Sequence, residues 1–235
     1  MARESFTQMM RKYRTRTTFL AIVALCLLLS RAAQASDLQD HLLSGSKFSQ
    51  EKKYKEAIRE YEIAVKLDPK SAEANQLLGL TLTVDGDLDR ALQYTAEAVK
   101  LNPSYSTYYN LGLIYARQEK YPQAESAYES ALGLNPKSYQ AWHQLGKVYA
   151  TDLKFDKAIE AYGKVIELNP HFPEAYQGLG SSYYWNGNLE SSLAQVQKLQ
   201  DLQLNGRADE LDGWIKDKEV KKKRSAEKRP PAPSR

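Results

Sequence analysis

Residues 139–170 read YQAWHQLGKVYATDLKFDKAIEAYGKVIELNP, and the fold is decided there. Trp142, Leu145, Gly146 and Tyr149 stand at three- and four-residue spacing, the mark of one helix face. Ala158 and Tyr162 continue the pattern on a second segment, and Leu168-Asn169-Pro170 ends it. Proline disfavours the helical region for the residue before it, and Asn tolerates the turn. The stretch predicts two helices packed back to back.

The same unit is written about five times along the chain. Glycine recurs at residues 45, 79, 112, 146 and 180, alanine at 57, 91, 124 and 158, and proline at 69, 103, 136 and 170. The third copy reads Tyr108, Leu111, Gly112, Tyr115, Ala124, Tyr128 and Pro136. The second (Asn75, Leu78, Gly79, Leu82, Ala91, Thr95, Pro103) is looser but in register. The first keeps Gly45, Phe48, Ala57, Tyr61 and Pro69, with Ser44 in the Leu slot. The fifth keeps Tyr176, Leu179, Gly180 and Tyr183, then departs at Ser192 and Val196. This pattern resembles the tetratricopeptide repeat family, over roughly residues 38–205.

The resemblance implies an all-α, right-handed solenoid of helix-turn-helix units, here about 38–71, 72–104, 105–138, 139–172 and 173–206. Glycine inside a helix costs about 1 kcal/mol against alanine, so five in register need a recurring reason. Close approach of two helix backbones supplies one, with the small Ala of each second helix expected to face the glycine. A solenoid end must also be sealed. Leu211, Trp214 and Ile215 make one apolar face in residues 207–222, the expected capping helix, with a disordered basic tail over 223–235.

Charge divides the chain in three. Residues 1–35 carry a net +5, residues 36–215 a net −7 and residues 216–235 a net +6. The overall +4 therefore describes none of them and is no argument for specific nucleic-acid binding. The basic tail, Lys221-Lys222-Lys223-Arg224 then Lys228-Arg229, suits electrostatic contact with an anionic surface.

The first 35 residues have the three parts of a secretory signal peptide. Arg11, Lys12, Arg14 and Arg16 precede an apolar run of eleven residues, Phe19–Leu29, and Ala33-Gln34-Ala35 offers cleavage between Ala35 and Ser36. A spanning helix needs about 20 apolar residues, so the run is short for a permanent anchor. The expectation is export, periplasmic or extracellular, with a membrane anchor by an uncleaved segment as the alternative. Cys26, the only cysteine, lies in the run, so no intrachain disulfide can form.

No catalytic constellation is legible, and the sequence predicts no enzyme, no cofactor and no metal. His41, His143 and His171 fall in different repeats without metal-ligand spacing, and His41 takes a core-packing slot. Asp85, Asp87 and Asp89 look like a calcium loop, but Gly86 is misplaced for one.

In the family resembled, the first helix of each unit lines a concave groove. Carried over, this assigns Gln76, Leu80 and Thr83 from the second repeat, Tyr109, Asn110, Leu113 and Arg117 from the third, His143, Gln144 and Lys147 from the fourth, and Gln177, Ser181 and Tyr184 from the fifth. Amides, rings and a few cations suit an extended peptide or protein partner. The Lys/Asn set that grips chaperone tails in a subgroup is missing, since Leu42, Ser46 and Leu77 stand there. The expected function is an exported scaffold for protein–protein interaction. The alternatives are a structural subunit of a cell-envelope assembly stacking through its convex face, or an accessory polymer-presenting module.

Overall fold

The computed structural model describes residues 35–227 and, ahead of them, Ala24. The Phe19–Leu29 run apart from Ala24, and the tail from Lys228 on, lie outside the described residues. Ala35 and Ser36 are exposed in the first described turn.

Among the described residues the regular structure is all helical, in consecutive helix-turn-helix pairs. They fall in two compact bodies, Met1–Leu101 and Asn102–Arg235. The first holds α1 (35–50), α2 (Tyr54–Leu67), α3 (Ala72–Asp85) and α4 (Leu88–Leu101). The second holds α5 (Tyr105–Arg117), α6 (Tyr121–Leu134), α7 (Tyr139–Thr151), α8 (Phe155–Leu168), α9 (Pro173–Trp185), α10 (Leu189–Asp201) and α11 (Asn205–Glu227). None is long and apolar enough to cross a membrane.

Two turn chemistries alternate. Within a repeat the chain reverses through one left-handed residue: Lys52, Gly86, Glu119, Leu153 or Gly187. At the third such turn the Glu119 N–H donates to the Ala116 carbonyl and the Lys120 N–H to that of Tyr115 (3.1 and 2.9 Å), closing the helix end. Between repeats, a serine hydroxyl caps the next helix: Ser71 accepts from the Ala74 N–H, Ser104 from Thr107 and Ser138 from Ala141. Lys70 and Lys137 separate two of these caps from their prolines, whereas Ser104 follows Pro103 directly. That missing residue is the source of the single 33-residue step, and the cap absorbs it.

The side chains nearest the glycines are not those of the alanines, though a Cβ on Gly79 would also meet the Ala91 carbonyl oxygen at 3.2 Å. A Cβ on Gly45 would stand 2.5 Å from the Tyr61 ring, one on Gly112 2.6 Å from Tyr128, and one on Gly146 3.0 Å from Tyr162. Gly79 meets the smaller Thr95 in the same slot, and Gly180 meets Leu211 of α11. Helical side chains lean toward the N-terminus, so a ring one turn beyond the alanine reaches back over the glycine. Ala57, Ala91, Ala124 and Ala158 are fully buried in the core instead.

α11 begins two residues before the expected cap and runs five beyond it, to Glu227. Lys, Glu, Arg and Ala fill its last turns, with no Gly or Pro between Gly213 and Glu227 to stop it. Leu211 and Ile215 are buried as expected, while Trp214 remains 39 % exposed.

Candidate functional site

In the second body α5 lies alongside α7, α7 alongside α9, and α9 alongside α11. These first helices present one face. The turn that ends α5 delivers Tyr121, the first residue of α6, to the same side, and a cavity of about 390 Å³ opens there. Leu113, Ala116 and Val148 give it an apolar lining, and Gln144, Thr151, Arg117 and Lys147 supply polar and cationic groups. Glu119 is the one carboxylate on it. Arg117 and Lys147 are both exposed.

Four of the expected groove residues, Leu113, Arg117, Gln144 and Lys147, are therefore brought together at one opening. Tyr109 is a half-buried wall rather than a free ring. It stacks on Tyr105 with centroids 5.7 Å apart and meets Tyr128 edge-on. Burial raises the pKa of its phenol, and a hydrogen bond with the Gln144 side chain opposes that shift. His143 sits 5.0 Å from Phe172 and 6.0 Å from Tyr162, centroid to centroid. Burial lowers its pKa, the nearby Lys147 lowers it further, and Glu174 partly offsets both. The imidazole is held neutral.

Burial takes two of the remaining residues, Thr83 and Asn110, off the surface. Thr83 is buried, and its hydroxyl donates to the Gly79 carbonyl oxygen at 2.7 Å. A small hydroxyl on a helix satisfies itself on the preceding turn, which takes it out of recognition. Asn110 is also buried, only 8 % exposed. Gln76 is half-buried and Leu80 exposed; both belong to α3 in the first body.

The fifth repeat is covered by α11. Gln177 donates to Glu210 and accepts from Arg207, each at 3.3 Å, and Arg207 pairs with Glu174 at 2.7 Å. Ser181 donates to the Gln177 carbonyl oxygen at 2.8 Å. Tyr184 lies beneath Lys218, whose ammonium is 4.2 Å from the ring centroid and donates to the Tyr184 carbonyl at 2.7 Å. Contacts at a 33- or 34-residue offset show that α11 stands where a further first helix would stand. Gln177 and Tyr184 are thus spent on sealing the stack.

His41 is not a core residue either: its Nδ1 lies 2.7 Å from the Glu60 carboxylate, and it is partly exposed. Asp87 accepts from the Arg90 backbone N–H at 3.3 Å, the ordinary use of an acid at a helix start. Sequence reasoning missed Tyr121, Val148 and Thr151. Tyr121 opens a second helix, and only the tight turn at Glu119 brings it to the first-helix face.

Residues 46–106 and 105–138 match the description "Tetratricopeptide repeat", and residues 154–187 match "TPR repeat". The chain is similar to the solved structure "Crystal structure of MamA", at 31% identity and TM-score 0.65, covering 68% of this chain and 94% of that one. It also resembles the cell division cycle protein 27 homolog of Caenorhabditis elegans, 33% identical over 99 residues. A further relative is the Hsp70-Hsp90 organizing protein 3 of Arabidopsis thaliana, 30% identical over 95 residues. These matches take in 42% and 40% of this chain, but only 13% and 17% of the two curated proteins. Repeat pattern, helix-pair architecture and these likenesses agree: the chain belongs to the tetratricopeptide repeat family.

Proposed function

We propose that the chain is an exported scaffold that binds an extended peptide segment of a protein partner across α5 and α7. The observation that carries this reading is the cavity at Leu113, Val148, Gln144, Arg117 and Lys147. An apolar lining with two exposed cations fits a segment that pairs an apolar anchor with an acidic side chain nearby. Gln144 adds hydrogen-bonding capacity for the peptide backbone, whereas the Thr151 hydroxyl is satisfied on the Lys147 carbonyl oxygen at 2.9 Å. Among the described residues no group of three or more His, Cys, Asp or Glu side chains is placed to hold a metal ion.

Export rests on the leader sequence alone, with cleavage at Ala35–Ser36. N-terminal sequencing of the product from a bacterial host tests it. A product starting at Ser36 outside the cytoplasm is expected, and one keeping residues 1–35 in the membrane fraction points to the anchor. Binding is tested by charge reversal, Arg117→Glu with Lys147→Glu. Both side chains are exposed, so the fold should stand while affinity for an acidic-apolar peptide falls.

A further inference from the structure

The second body has another cavity, of about 450 Å³, between the second helices α6 and α8 with α7 behind them. It is distinct from the opening at Lys147, with which it shares no lining residue. Buried Leu132 and Leu145 form its floor, the rings of Trp142 and Tyr149 stand beside them, and exposed Glu129 and Glu160 lie at the rim. Ring faces and carboxylates over an apolar floor are the chemistry that holds a cation on an aliphatic stem.

The protein already uses that chemistry there. The Lys157 ammonium lies 5.0 Å from the Tyr149 ring centroid and 2.8 Å from Glu125. Glu125 is thereby committed, since Lys154 also pairs with it at 2.8 Å. Glu129 accepts from the Tyr149 hydroxyl at 3.3 Å, and neither Glu129 nor Glu160 enters an ion pair among the described residues. Lys157 itself lines the cavity but is paired with Glu125, and Lys164, which feels the charge of Glu160, is paired with Glu167, so the two rim carboxylates can still take a further cation.

The same chain carries a matching cation source. α11 runs parallel to α9, as the contacts Arg207–Glu174, Glu210–Gln177 and Lys218–Tyr184 show. Trp185, the last residue of α9, falls opposite residues 218–219 on that offset, yet α11 continues to Glu227. At 1.5 Å per residue, its backbone overshoots by about 12 Å. The overshoot carries Lys221-Lys222-Lys223-Arg224, within a segment of net +6, while residues 36–215 hold net −7.

We propose that the basic stretch 221–224 of one copy docks a Lys or Arg side chain in the α6–α8 cavity of a second copy, between Glu129 and Glu160. Such a contact joins unlike surfaces, head to tail, so association is open-ended rather than a closed dimer. It is charge-driven and weakens with salt.

Sedimentation velocity on the chain freed of residues 1–35 tests this with two variants. One is Glu129→Gln/Glu160→Gln; the other replaces Lys221, Lys222, Lys223 and Arg224 with Gln. The wild type should form a ladder of oligomers at low salt that collapses to monomer near 0.5 M salt. Each variant alone should associate about tenfold more weakly or worse. Mixed, they should form a heterodimer and no larger species, because one intact cavity then meets one intact tail. Melting curves for both variants establish that they are folded. A wild type that is monomeric at low salt would overturn the proposal, and with it any docking of the stretch between copies. So would undiminished association of the cavity variant, or a mixture that stays monomeric.

Discussion

The indole Nε1 of Trp142 donates a hydrogen bond to the carbonyl oxygen of Pro136 at 3.0 Å. One repeat later the Tyr176 hydroxyl makes the same bond to Pro170 at 2.9 Å, and two repeats earlier Asn75 Nδ2 makes it to Pro69 at 3.1 Å. Three unlike side chains satisfy one carbonyl that proline leaves at the end of the previous helix pair. The tryptophan slot of the repeat is therefore a cap as well as a packing position.

Trp142→Phe keeps a ring and removes the donor. The expected loss is about 1 kcal/mol, at the lower end because the bond is exposed. Asn75→Ala should cost more, because Asn75 is buried and its amide also donates to the Ser71 carbonyl at 2.8 Å. Urea unfolding of both variants checks the order. The reverse order would show that the bond is incidental.

Gly112→Ala places a methyl against the Tyr128 ring and should destabilise by about 1–3 kcal/mol. Gly133→Ala is the control: a Cβ there meets nothing within 4 Å, and helix propensity should raise stability by about 1 kcal/mol. Opposite shifts in Tm are predicted, and parallel ones would contradict the ring-on-glycine contact.

Leu153 sits at a φ of +58°, 73 % exposed, where Gly86 and Gly187 serve other repeats. Replacing it by Gly relieves a left-handed conformation that costs an L side chain about 1–2 kcal/mol. Part of the gain is lost to the greater freedom of the unfolded glycine chain. A rise in Tm of a few degrees is expected. A fall would mean that the exposed leucine packs in solution.

His143 gives the stability a pH dependence of known sign. Its folded pKa lies below the ordinary histidine value, first through burial and then through Lys147. The unfolded chain therefore binds the proton more readily, and stability present above about pH 6.5 is lost as pH falls through the folded value. His143→Phe should flatten the melting temperature across that window. An unaltered pH profile would contradict the assignment of this dependence to His143.

The helix pairs, their turns and the sealing helix were legible because Gly, Ala and Pro keep one period and every unit repeats the same local chemistry. Which residue touches the glycine was not. That depends on the backward lean of helical side chains, and position alone cannot separate Ala124 from Tyr128. The binding face was half legible for a related reason. Leu113, Arg117, Gln144 and Lys147 follow from repeat position, but Thr83 satisfies its own hydroxyl and Tyr184 is claimed by Lys218. Both outcomes come from contacts that a single repeat does not encode. Tyr109 shows the consequence: its truncation would remove a stacked core wall along with any ligand contact.

The central claim, a peptide site across α5 and α7, is tested most directly by selecting from a random peptide library displayed on phage. The immobilised chain lacking residues 1–35 serves as bait. Enriched peptides should pair an apolar residue with an acidic one. Measured as synthetic peptides, they should bind Arg117→Glu/Lys147→Glu about tenfold more weakly or worse, with the melting curve of that variant unchanged. No enrichment, or equal binding by the charge-reversed chain, would contradict the account.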